Sequence, residues 1–177
     1  MQLKKLNDEV LIAGDIIAQL ARPDVESLKK QSLLNERRRI RICTHNQIDD
    51  PLHEMFIVHQ RDAYVRPHKH LNKSESVHII EGAVDVVLFD EGGDVMEVIQ
   101  MGDYRSGRRF YYRISEPRYH TLLITSECLV FHEITNGPFN KADTVFARWA
   151  PEEGDLAGRE EFMRRVRRAA GGSVGES

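Results

Sequence analysis

Between residues 39 and 134 the chain is a succession of nine short β-rich runs, with turn residues between them and no helical period among them. The runs are 39–44, 53–60, 64–70, 76–80, 83–89, 95–100, 110–115, 121–125 and 128–134. The turn signals are Asp49-Asp50-Pro51, Arg61-Asp62, Glu91-Gly92-Gly93-Asp94, Met101-Gly102-Asp103 and Asn136-Gly137-Pro138. Each run is rich in β-branched and aromatic residues, and Glu-Gly-Gly-Asp between two alternating runs is a hairpin signal. The strands follow at regular spacing with no helices between them. They predict a mainly β fold, a sandwich or a closed barrel.

The flanks read differently. Val10 to Ile12 is too short for periodicity to separate a strand from a helix start. Pro23 followed by Asp24 suits a first helical turn, and Val25, Leu28 and Leu33 give an apolar face, so a helix is expected over about 24–35. After Pro151, Leu156, Phe162, Met163 and Val166 stand among many charges, as in an amphipathic helix lying on a barrel. The expected organisation is an extension over 1–38, a β-barrel over 39–150, a packing helix over 151–170 and a disordered tail over 171–177.

Composition narrows the classes. A net charge of -3 with both signs mixed along the chain gives no basic footprint for nucleic acid. Two distant cysteines, Cys43 and Cys128, make no disulfide framework and read as buried thiols in a reducing compartment. The apolar patch near the N-terminus is interrupted by Gly14 and Asp15. It is too short to span a bilayer and lacks a small-residue cleavage site, so a cytoplasmic location without membrane attachment is expected.

The chemistry concentrates in Tyr64-Val-Arg-Pro-His68-Lys-His70, followed by Glu75. Residues two apart on a strand point to the same face, so His68 and His70 can converge on one ion. Glu75 opens the next strand after a short turn and can bring its carboxylate to the same point, with Val77 and Ile79 on the same inward face. His78 has the opposite parity and is expected to face away. A fourth ligand must come from a distant strand, and His120, at the head of the run Thr121-Leu-Leu-Ile, is the candidate. An isolated His-x-His is most often two surface histidines. Three imidazoles with one carboxylate, however, suit one divalent transition metal: Fe, Mn, Ni, Co, Cu or Zn rather than Ca or Mg.

The spacing His68-x-His70-x4-Glu75-x6-Gly82 resembles the first signature of the cupin superfamily, with Asp62 where that signature often has glycine. Pro117 and His120 are similar to the second signature, without its glycine and asparagine. A narrower resemblance is to the WbuC-type cupin-fold metalloproteins. It is carried by Tyr64-Val-Arg-Pro-His-Lys-His, the Arg39 to His45 region, Tyr119-His120-Thr121, Glu133 with Gly137-Pro138-Phe139, and Ala147-Arg-Trp-Ala-Pro-Glu-Glu-Gly154. The resemblance implies a double-stranded β-helix, or jelly-roll, barrel with peripheral helices. It also implies a homodimer and a role in surface polysaccharide metabolism, such as O-antigen synthesis, acting on a sugar or sugar nucleotide.

An ion in such a barrel acts as a Lewis acid on a small oxygen-rich substrate. Tyr64 and Arg66 share the strand parity of the histidines and would line the same cavity if the strand stays regular through Pro67. Arg66 is equally readable as a barrel-rim residue. Arg118 and Glu133 are further candidates for contact with the substrate, while His45 and His53 read as polar strand residues outside the site. Isomerase, epimerase, lyase or dioxygenase chemistry stays open at this point, as do a non-catalytic carbohydrate-binding role and a structural metalloprotein.

Overall fold

A computed structural model describes residues 1–172, with side chains through Gly171; the rest of the expected tail lies outside the described residues. The chain runs β1 (Leu3–Asn7), β2 (Val10–Ala13), α1 (Arg22–Ser32), β3 (Arg39–Cys43), β4 (Leu52–Gln60), β5 (His68–His70), β6 (Glu75–Glu81) and β7 (Ala83–Phe89). It continues through β8 (Val95–Gly102), β9 (Tyr111–Ile114), β10 (Tyr119–Ile124), β11 (Cys128–Asn136), β12 (Thr144–Phe146) and α2 (Leu156–Gly172). Single 3-10 turns stand at Tyr104–Ser106 and Lys141–Asp143. No described helix is long and apolar enough to cross a membrane.

The strands form two sheets. One has the order β1-β2-β3-β4-β11-β6-β9 and the other β12-β5-β10-β7-β8. Apart from the parallel β2–β3 pair, the ladders within them are antiparallel. This is the mainly β fold expected from the strand spacing, with its strands divided between two sheets.

Side-chain alternation sorts the core into three layers. Met55, Ile57, Val77, Ile79, Leu129 and Phe131 from the first sheet meet Val84, Val86, Met101, Leu122 and Ile124 from the second, filling the barrel. The residues of opposite parity need cover. Val58, Val130, Ile40 and Ile42 pack under Leu28 and Val25 of α1. Val87, Phe89, Tyr119 and Leu123 pack under Phe162, Val166 and Ala170 of α2. An 11-residue helix is marginal alone in water, so α1 is held mainly by this burial. Asp24 caps its start by accepting a hydrogen bond from the Ala21 N–H at 2.7 Å. At α2, Asp155 accepts from the Gly158 N–H at 2.9 Å.

Three expectations change. The run 64–70 is a strand only from His68 to His70, because Pro67 donates no ladder hydrogen bond and the chain before it is irregular. The N-terminal segment forms the hairpin β1–β2, where the sequence left strand and helix undecided at Val10. Gly171 and Gly172 belong to α2 rather than to a tail.

Candidate metal centre

The two sheets bring the site together at one end of the barrel. In the register, His120 of β10 lies opposite His68 of β5, and β5 in turn pairs with β12, with Thr144 opposite His70. Glu75 heads β6 in the facing sheet, where Glu75, Val77 and Ile79 are buried and His78 is exposed. The inward set and the outward His78 follow from the period of two along a strand.

The ring nitrogens of His68, His70 and His120 lie within 4.8 Å of one another. Two nitrogens bound to one ion at about 2.1 Å each stand at most about 4.2 Å apart, so the set closes on an ion with movements of under an ångström. Their outer nitrogens are already engaged. His68 Nδ1–H donates to the Arg66 carbonyl at 2.8 Å and His120 Nδ1–H to the Arg118 carbonyl at 2.9 Å. A carbonyl only accepts, so each proton sits on Nδ1 and each Nε2 presents a lone pair inward, which is how metal-binding imidazoles are oriented. His70 Nδ1 faces the Thr144 hydroxyl at 3.2 Å. Burial, with His120 and His70 alongside, pushes the His68 imidazole down to about 3, so it offers its lone pair throughout the physiological range.

Glu75 meets two of the three rings. Its Oε2 is 3.1 Å from His70 Nε2 and its Oε1 is 3.5 Å from His120 Nε2. Burial favours its neutral form, yet the adjacent imidazoles of His120, His70 and His68 outweigh burial and hold the carboxyl well below its usual range. Oε1 also accepts a hydrogen bond from the Tyr112 hydroxyl at 3.1 Å. Burial first, and the Glu75 charge second, push the Tyr112 hydroxyl well above its usual pKa, so it remains a donor. Tyr112 was invisible in the sequence, since its role depends on the β6–β9 register that sets it opposite Val77. The donor set therefore fits a divalent transition metal: three fixed imidazoles, with an ionised carboxylate in hydrogen-bond contact.

The remaining candidates separate. Arg118 lines the small cleft above the centre with Lys73, Glu116 and Ile114, over His70, Glu75 and His120. Glu133 is opposite Val77 and Met55 on β11, which gives it their inward parity. Burial and then the Glu75 charge raise its carboxyl to about 8, against the opposing pull of Arg41. Tyr64 and Arg66 do not line the cleft. The chain leaves strand geometry before Pro67, and Tyr64 turns under α2, its hydroxyl donating to the Pro151 carbonyl at 2.9 Å. The Arg66 guanidinium donates to the Ala147 carbonyl at 3.3 Å and lies 5.2 Å from the centre of the Phe146 ring. His45 and His53 stack on each other at 3.9 Å, apart from the cleft.

The raised Glu133 carboxyl has a consequence for stability. Between the usual carboxyl pKa and about 8 the folded protein keeps a proton that the unfolded chain releases, so stability falls as pH rises through that window. Glu133→Gln is expected to melt several degrees above wild type in metal-free protein at about pH 8.5, and close to it at about pH 5. Equal shifts at both values, followed by circular dichroism, would show that this carboxyl is not strained by ionisation.

Residues 20–101 match a family model described as a domain of unknown function (DUF6016). No curated protein sequence matches the chain. Among solved structures, a protein of Shewanella oneidensis is 12% identical over 72% of this chain and 82% of its own, with a TM-score of 0.49. Oxalate decarboxylase of Bacillus subtilis is 18% identical over 61% of this chain and 27% of its own, at 0.47. The capsular polysaccharide assembling protein CapF of Staphylococcus aureus is 16% identical over 63% of this chain and 32% of its own, at 0.49. The chain thus spans a third or less of the last two proteins. What it has in itself is a two-sheet β fold in which three histidines converge.

Proposed function

We propose that the protein is a metal-dependent cupin enzyme in which His68, His70, His120 and Glu75 hold one divalent transition metal, and that its substrate is small and rich in oxygen. The observation that carries this reading is the set of inward Nε2 lone pairs on His68 and His120, fixed because each Nδ1 is committed to the carbonyl two residues earlier. Bound there, the ion supplies Lewis acidity toward a carbonyl or hydroxyl oxygen. The chain's own residues do the positioning. Thr144 steadies His70, and Tyr112 holds one oxygen of Glu75 while the other stands 3.1 Å from His70 Nε2, beside the place of the ion. Lys73 and Arg118 stand at the entrance. Glu133 is the interior carboxyl able to carry a proton near neutral pH. The resemblance to WbuC-type proteins supports a sugar or sugar derivative of surface polysaccharide metabolism as the source of that substrate.

Metal analysis of untagged protein tests the reading. About one equivalent of a transition metal, lost with His68→Ala, is expected; no metal in either protein would sink it. Turnover that requires the ion separates an enzyme from a binder that uses the metal only as an anchor. Tyr112→Phe is expected to lower metal affinity roughly tenfold, within the range for losing a group that orients a ligand, with little change in melting temperature. An unchanged dissociation constant in a chelator competition would remove Tyr112 from the site.

A further inference from the structure

The cleft over His70, Glu75 and His120 is reached by two loops, and each carries a cation close in sequence to one of these residues. The turn between β5 and β6 carries Lys73 two residues before Glu75, and the connection from β9 to β10 carries Arg118 two residues before His120. Neither cation is neutralised closely. Lys73 is half-buried, donates only to the Pro138 carbonyl at 3.3 Å, lies 5.8 Å from the centre of the Phe139 ring, and makes no ion pair among the described residues. Arg118 reaches the Glu116 carboxylate only at 4.0 Å, with more than half of its side chain exposed. A divalent ion below them outweighs the single Glu75 carboxylate, and the rim adds two cations against Glu116 alone. The entrance is therefore electropositive, and neutral polyols gain nothing from that charge.

Resting on the metal reading above, we infer that the centre takes a small 2-hydroxy or 2-oxo carboxylate, of which a sugar acid is one form, whose acid group is met by Lys73 and Arg118. A planar carboxylate matches the guanidinium fork of Arg118 on one side and the point charge of Lys73 on the other. The oxygen on the neighbouring carbon is the atom presented to the ion. The narrow cleft favours the acid end of a small molecule over a bulky nucleotide group.

The test is calorimetric titration of zinc-loaded protein, at fixed ionic strength, with glycolate, ethylene glycol and inorganic phosphate. The variants Lys73→Gln and Arg118→Gln are run alongside, with zinc content measured first. Glycolate binding at least tenfold tighter than the diol or phosphate, weakened tenfold or more in each variant at unchanged zinc content, is the expected result. Zinc retained with glycolate no better than the diol, phosphate preferred, or binding indifferent to both variants would overturn the assignment while leaving the metal centre standing. Protein that holds no zinc would bring down both readings together.

Discussion

His120→Ala protein is expected to bind metal roughly a hundredfold or more weakly than wild type, since loss of a direct ligand exceeds the 10–100-fold cost of losing a group that merely orients one. His120 contributes more than a donor atom. It stands opposite His68 across the β5–β10 ladder, and its Nε2 is 3.5 Å from Glu75, so it links the two sheets at the site. It is also 4% exposed, and alanine there leaves a cavity that costs stability. The conservative variant His120→Gln fills most of that space and separates the effects: affinity stays low while melting recovers. His78→Ala is the internal control. His78 is exposed on the outer face of β6, three residues past Glu75, and its variant should retain the wild-type equivalent of metal. Loss of metal in His78→Ala, or its retention in both His120 variants, would show that the inward register of β6 and β10 is misassigned.

What the sequence made legible follows the range of the physics involved. The period of two along β6 placed Glu75, Val77 and Ile79 inward and His78 outward, and the structure has that alternation. The strand runs and the hairpin at Glu91 to Asp94 were readable because their cause is local: Asp90 Oδ1 accepts from the N–H groups of Gly92, Gly93 and Asp94 at 2.8–2.9 Å. Tyr64 and Arg66 were misplaced because parity was carried through Pro67, where the strand stops. The strand β12 was missed since Thr144 to Phe146 shows no pattern of its own; it is a strand by pairing with His68 to His70. Tyr112 was missed for the same reason, because only the β6–β9 register brings its hydroxyl to Glu75. The convergence of His120 with His68 is equally non-local; the sequence offered only the place of His120 at the head of the run Thr121-Leu-Leu-Ile and the likeness of the spacing to the cupin signatures.

The last residue of that spacing has a different task from the ligands, and Gly82→Ala is expected to cost about 3–5 kcal/mol, lowering the melting temperature by about 10 °C. Gly82 closes the tight passage from β6 to β7 at φ +93, a conformation that side chains with a Cβ rarely adopt. A Cβ there would run into the Cys128 carbonyl oxygen and come within 2.5 Å of the Ser126 hydroxyl. Neither yields readily. Cys128 opens β11, the strand paired with both β4 and β6, and the Ser126 hydroxyl accepts from the Ala83 N–H at 2.9 Å while donating to the Cys128 carbonyl at 2.7 Å. Backbone strain alone is worth about 1–2 kcal/mol, and displacement of these strands supplies the rest. Gly107 offers the comparison, with φ +72 and open space where its Cβ would go, so Gly107→Ala should cost only the strain. Equal losses at the two positions in chemical denaturation would refute the steric part of the argument. Because Gly82 lies at the opposite end of β6 from Glu75, folded Gly82→Ala protein should still bind its equivalent of metal. Within one signature, the glycine serves the chain reversal that lets β6 and β7 lie in opposite sheets, a task separate from the ion-holding one proposed for the histidines and the glutamate.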